Sequence, residues 1–248
     1  MIFDFQSSAI FPTHAVSPAG PLPPGAEALS VETADRERLA GIYIPPESSG
    51  TATELILGFG GNAWNGQDVA EYLHELFPDR DVVAFHYRGY APSSGTPSAE
   101  ALIADAPIVY DFAIEKLKKR PVVAVGFSIG SGIAAQLASR RKLDGLILVT
   151  PFDSLKSVAE GMFSWLPIGR FFDHEIDAAG SLEHSDVPVA VIAAERDEIV
   201  APERTAALRP RIGNLVFDRT IQRAGHNDIY ARSDFQIAMR EALDRLNL

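Results

Sequence analysis

With 248 residues, 46% of them hydrophobic, the chain is long enough for one large α/β domain or two small ones and apolar enough to pack a core. A formal net charge of −11 at pH 7 excludes a nucleic-acid partner, because a polyanion binder needs a basic field to release counterions from phosphates. The lack of cysteine excludes disulfides, thiolate metal sites and cysteine nucleophiles. No stretch reaches the roughly 18 consecutive apolar residues of a membrane span.

The N-terminus, MIFDFQSSAIFPTHAV, lacks the basic start and long apolar middle of a signal peptide, so the expectation is a cytoplasmic protein without an integral membrane segment. Residues 12–29 hold five prolines and little periodicity, and residues 1–29 are expected to form an extended arm across the domain surface. Next, GAEALSVETA and ERLAGIYIPP alternate apolar with polar around the turn-like Ala34-Asp35-Arg36, which predicts an antiparallel pair at one edge of a sheet.

Short, nearly all-apolar runs follow: LILGFG (55–60), VVAFHY (82–87), VVAVGF (122–127), LILVT (146–150) and VAVIAA, which ends at Ala194. Runs apolar on both faces are the signature of buried parallel strands. Between them lie segments of helical period, Gln67 to Leu76, Ser98 to Lys119 and Ile129 to Lys142, with Pro202 to Leu208 and Asp228 to Leu246 later. A last strand is expected over Val216 to Ile221. This alternation predicts a single α/β domain over residues 1–248, with a mostly parallel central sheet, helices on both faces and right-handed crossovers. The basic clusters Lys118-Lys119-Arg120 and Arg140-Arg141-Lys142 each close a predicted helix, where cations favour the negative end of the helix dipole.

Residues 154–186 separate two strands by more than a plain crossover needs. Met162, Phe163, Trp165, Leu166, Pro167, Ile168, Phe171 and Phe172 concentrate there, which suits a small cap over a pocket; the plainer alternative is a helix packed on the sheet.

Gly126-Phe-Ser-Ile-Gly130 joins a predicted strand to a predicted helix and matches the GxSxG nucleophile elbow, whose glycines let strand and helix backbones approach closely. A serine hydroxyl needs a base within hydrogen-bond reach, itself oriented by a buried carboxylate. Asp197 follows the VAVIAA strand and His226 follows the last strand, so both belong at the carboxyl edge of the sheet where the elbow presents Ser128. The order Ser128, Asp197, His226 is that of the α/β-hydrolases. Glu195, Glu198 and Asp153 are the competing acids, and Asp197 fits best by its offset from the strand. Two backbone N–H groups should face the oxyanion: that of Ile129, directly after the nucleophile, and that of Asn62, in the loop Gly60-Gly-Asn-Ala-Trp-Asn65. The remaining histidines, His14, His74, His86, His174 and His184, are not spaced as a metal site, and no phosphate loop occurs, so no cofactor or metal is expected.

The segments IFPTHAV, ETADRERLAGIYIPP, GFGGNAWN, HYRGYAPSSGTPS, GFSIGSGIAAQLA, TPFDSL, AERDEIV and GHND together resemble the Bem46-like group of α/β-hydrolases, related to the serine aminopeptidase and lysophospholipase-like hydrolases. The similarity runs from about Ala9 to the C-terminus. It implies the α/β-hydrolase fold and a supporting role for Arg88-Gly-Tyr90 beneath the oxyanion loop. Members typically carry HGNAGN at that loop; here Gly60 stands in place of the histidine and Trp64 in place of a glycine, which removes a brace and adds an indole near the pocket. Many relatives carry an N-terminal membrane anchor before the FPT-like segment, and none is expected so close to the start of this chain.

The expected function is serine hydrolysis of a small-molecule acyl ester or thioester, with Trp64, Met162, Phe163 and Trp165 lining an apolar site. An aminopeptidase-like amide hydrolase is the alternative, and would need an acidic pocket for which Glu175, Asp177 and Glu183 are candidates. A binding protein on the same fold without turnover is the third reading.

Overall fold

The computed structural model describes residues 7–47, 54–118, 121–162 and 172–248. Among them run strands β1 (Glu27–Glu32), β2 (Arg38–Ile44), β3 (Leu55–Phe59), β4 (Asp81–Phe85), β5 (Val122–Phe127), β6 (Gly145–Val149), β7 (Val189–Ala194) and β8 (Leu215–Ile221). Their order in the sheet is β1-β2-β4-β3-β5-β6-β7-β8. β2 is antiparallel to both β1 and β4, whereas the β3/β4, β6/β7 and β7/β8 pairs are parallel. The sheet is thus mixed and mostly parallel, as the alternating runs predict. The chain divides within β5 into two compact units, Met1–Ala124 and Val125–Leu248.

In the first unit the turn between β1 and β2 passes through Arg36 at positive φ, and the pairing sets Leu29 opposite Gly41. Helix α1 (Gly66–Leu76) starts at Asn65, whose side chain accepts the Asp68 N–H, and packs its Val69, Ala70 and Leu73 face on β2, β3 and β4. Helix α2 (Ala99–Leu117) is capped by Ser98 and stops at Lys118 in the left-handed conformation, close to both predicted ends. Leu55, Ile56, Val82 and Val83 are fully buried, and each such side chain contributes about 1.5–3 kcal/mol of hydrophobic stabilisation. The N-terminal arm contains a 3-10 turn at Thr13–Ala15 and is held by Asn65 and Gln67, whose side-chain amides donate to the carbonyls of Ser17, Gly20 and Pro21. Arg88 grips Asp105 through two donors and also pairs with Asp35, which joins the β1–β2 turn to α2.

His86, just after β4, is only 4% exposed, and its Nδ1 accepts the Gly66 N–H at 3.3 Å. Burial pushes its pKa down to about 4. The unfolded imidazole titrates near ~6.5, so between the two values the unfolded chain binds the extra proton and stability falls as pH falls. The loss from this one group is about 2 kcal/mol at pH 5. The urea midpoint is therefore expected to drop between pH 7 and pH 5, and to drop less in His86→Asn, which does not titrate. Parallel pH dependences of the two proteins would contradict this account.

In the second unit, helix α3 (Ile129–Ala138) follows β5 directly and ends four residues before the expected Lys142. The amides of both Arg140 and Arg141 donate to Leu137, and Ser139 Oγ donates to Gln136, so a tightened last turn replaces further helix. Helices α4 (Leu155–Met162) and α5 (Ala178–Leu182) lie in the long interval 154–186, within which Ser154 and Asp177, the residues before the two helices, form a bridge. Helix α6 (Pro202–Leu208) occupies the predicted span, with proline at its first turn. The helix expected over Asp228 to Leu246 is divided: a 3-10 turn at Ile229–Ala231, Arg232 extended, then α7 (Ser233–Arg245). The break turns Tyr230 inward, where its ring meets Phe127 and Phe235 edge-on.

Candidate functional site

Ser128 lies between the last residue of β5 and the first of α3 with φ of 52°, a positive value that non-glycine residues rarely adopt. Its main chain is fully engaged: the N–H donates to Val149 O at 2.9 Å, and its carbonyl accepts from Ser131 N at 2.9 Å and Ser131 Oγ at 2.6 Å. A Cβ at Gly126 would lie 2.3 Å from Gly130 O, so the strand and helix can approach this closely only without a side chain there. The GxSxG spacing thus produces a strained, tightly held turn whose hydroxyl points away from its own backbone bonds.

Ser128 Oγ is 2.9 Å from His226 Nε2, and His226 Nδ1 is 2.8 and 2.9 Å from the two carboxylate oxygens of Asp197. Asp197 Oδ1 also accepts the amides of Ile199 at 3.0 Å and Val200 at 2.7 Å, which fixes the carboxylate plane. His226 is 6% exposed and Asp197 8%, so water competes little for their mutual bond. With Asp197 ionised, the imidazole proton belongs on Nδ1, and Nε2 is left as an acceptor facing a hydroxyl. This arrangement can take a proton from Ser128 and hold the imidazolium that results.

The competing acids have other partners. Glu195 accepts the Arg223 amide, Glu198 accepts the His226 amide, and Asp153 pairs with Arg204 at 3.3 Å. Sequence reasoning weighed the two glutamates only as rivals of Asp197 and missed that they grip the histidine loop; three acids within four positions after a strand are the available signal. The acids considered for an ammonium pocket are also engaged: Glu175 by Ser154 Oγ, Asp177 as the cap of α5, and Glu183 by Arg211 at 2.5 Å. Arg211 holds the Glu183 carboxyl below its ordinary range.

Ile129 is the first residue of α3, and its N–H belongs to the helix start, where backbone donors lack intrahelical acceptors. Asn62 is in the loop after β3 in the first unit. Half-buried Tyr87 and buried Tyr90 hold that loop from its carbonyl side: Tyr87 donates to Gly60 O at 2.8 Å, and Tyr90 donates to Asn62 O. The peptide between these two carbonyls, which carries the Asn62 N–H, has its own carbonyl, Gly61 O, accepting from Trp64 N–H at 3.3 Å. Tyr87, within the predicted run VVAFHY, was not anticipated as a brace. Trp64 packs against Tyr72 at 5.4 Å between ring centroids, and Met162 is half exposed at the end of α4. Phe163 and Trp165 lie outside the described residues. Among the described residues no group of three or more His, Asp or Glu is placed to hold a metal ion, and no helix is long and apolar enough to cross a membrane.

Residues 55–172 match the alpha/beta hydrolase fold family. An uncharacterized protein of Mycobacterium tuberculosis is 31% identical over 223 residues, covering 85% of this chain and 78% of the relative. Protein bem46 of Schizosaccharomyces pombe is 26% identical over 192 residues, covering 73% and 64%. The lysophosphatidylserine lipase ABHD12 of Mus musculus is 31% identical over 167 residues, 59% of this chain and 42% of the lipase, so this chain spans less than half of that protein. Among solved structures, an esterase of Pyrococcus furiosus superposes with a TM-score of 0.76 at 20% identity, covering 93% of this chain and 96% of the esterase, a likeness of fold. From the family match, the extent of the mycobacterial similarity and the sheet order together, the chain belongs to the alpha/beta hydrolase family.

Proposed function

We propose that the protein is a serine hydrolase that cleaves a small-molecule acyl ester or thioester through an acyl-enzyme. The observation that carries this reading is the unbroken relay Asp197–His226–Ser128, with a 2.9 Å contact between Nε2 and a hydroxyl held in a positive-φ turn. His226 Nε2 takes the proton as Ser128 Oγ forms its bond to the substrate carbonyl carbon. The carbonyl oxygen becomes an oxyanion, for which the amides of Ile129 and Asn62 are the proposed donors. Collapse breaks the acyl bond, and the leaving group departs with the proton from Nε2. Water then attacks the acyl-enzyme with His226 again as base, and Ser128 regains its proton.

The activity of a relative, a lysophosphatidylserine lipase, favours an ester over an amide. So does the ion pair between Arg211 and Glu183, which already neutralises one of the acids considered for a substrate ammonium. Trp64, Met162, Phe163 and Trp165 are the proposed apolar contacts to the acyl or leaving group. A fluorophosphonate probe tests the reading without any guess at substrate. Intact mass is expected to show one adduct, and peptide mapping to place it on Ser128. An unmodified protein, or an adduct on another serine, would sink the proposal and bring forward the binding-protein reading.

A further inference from the structure

The loop after β7 and the loop after β8 are laced together around the base. Glu195 N–H donates to Ile221 O at 3.1 Å and Arg196 N–H to Ala224 O at 2.8 Å. Two carboxylates add to this: Glu195 Oε2 accepts Arg223 N–H at 2.6 Å, and Glu198 Oε2 accepts His226 N–H at 3.0 Å. The first acts three residues from the imidazole, the second on His226 itself. Glu198 has an exposed side chain, with nothing in its burial to fix it, yet it is folded back onto that amide. Gly225 permits the approach, since a Cβ there would lie 2.8 Å from Glu198 Oε2. The amide also holds the Glu198 carboxyl below its ordinary range, so the acceptor is ionised at neutral pH.

His226 is therefore held at two points, Nδ1 by Asp197 and the main-chain nitrogen by Glu198. Asp197 restrains the ring at its far end, and the other bonds between the loops end at Ala224, two residues short of the main chain of His226. The bond from Glu198 holds that main chain directly. We infer that Glu198 is a positioning residue, which by accepting the His226 N–H sets the distance from Nε2 to Ser128 Oγ. This rests on the serine-hydrolase reading above. An error of about 1 Å in a catalytic group costs up to about 100-fold, and the other bonds between the two loops limit the drift to less than that.

The test measures fluorophosphonate labelling rate, kcat and KM with p-nitrophenyl acetate, and Tm, for the full chain and for Glu198→Ala and Glu198→Gln. In Glu198→Ala, labelling and kcat are expected to fall about tenfold, with KM changed less than about twofold. Glu198→Gln keeps an oxygen able to accept the same N–H and is expected to return to within about threefold of wild type. A smaller folded fraction would also lower apparent kcat at unchanged KM, so Tm separates the two: in both variants it is expected to stay well above the assay temperature, where the folded fraction is unchanged. Equal labelling rates in all three proteins, or a glutamine variant as slow as alanine, would overturn the positioning role. A wild type that forms no adduct would overturn the hydrolase reading, and this inference with it.

Discussion

Ser128→Ala is expected to lower kcat/KM for an activated ester by about 10⁴- to 10⁶-fold and to abolish the fluorophosphonate adduct. The loss is large because the hydroxyl is the atom that forms the covalent bond, and no neighbouring group replaces it. What survives in such variants is the contribution of substrate binding and oxyanion donors, roughly 10³–10⁴ over water. The variant is also a clean one structurally. Among the described residues, the bonds of Ser128 to Val149 and Ser131 use its main-chain atoms, and only the contact to His226 Nε2 uses Oγ. Alanine keeps the Cβ, so the strain of a φ of 52° is neither relieved nor increased. Tm should therefore stay within about 2–4 °C of wild type, the shift that about 1 kcal/mol produces in a domain of this size. Retention of more than a hundredth of wild-type activity would mean that the chemistry does not pass through this serine.

The readable and unreadable parts of the chain divide along physical lines. β3, β5, β6 and β7 are buried on both faces, so their sequences are continuous apolar runs, and the structure differs from the expected ends by at most one residue at either end. β8, at the sheet edge, mixes Asp218 and Arg219 into a half-exposed strand, and its only strong cue was position. The helix boundaries that were misjudged, after Ala138 and around Arg232, depend on local competition for carbonyls and on where Tyr230 packs, neither of which leaves a periodic trace. In the site, residue types whose chemistry is specific stood out: a serine between glycines, an aspartate and a histidine each a few residues beyond a strand. The supports did not. Tyr87 looks like one more apolar strand residue until its hydroxyl is found on Gly60 O, and Glu198 looks like a solvated acid until its carboxylate is found on the His226 amide. Bonds made to main-chain atoms carry no signature in the partner's side chain, so sequence patterns cannot register them.

Asp197→Asn should lower kcat by about 10⁴-fold while leaving the fold intact. The reason is a proton's location. In the native site the carboxylate presents only acceptors to Nδ1, at 2.8 and 2.9 Å, so the imidazole hydrogen sits on Nδ1 and Nε2 carries the lone pair that faces Ser128. Asparagine offers one acceptor and one donor. The amides of Ile199 and Val200 both donate to Oδ1, at 3.0 and 2.7 Å, and they select the asparagine oxygen for that place. The NH2 group is then left at the Oδ2 position, 2.9 Å from Nδ1 in the native geometry. Nδ1 then faces the asparagine oxygen at 2.8 Å and the NH2 group beside it, so the negative charge that held the hydrogen on Nδ1 is gone and the tautomer with its hydrogen on Nε2, which donates to Ser128 instead of accepting from it, becomes populated. The oxygen contacts therefore keep the variant folded while the base enters the wrong state. Activity is expected to fall steeply with Tm nearly unchanged, and the labelling rate to fall with kcat, since both need Nε2 as an acceptor. A near-native labelling rate in Asp197→Asn would show that the tautomer is set by something other than this carboxylate, and would reopen the assignment of the relay.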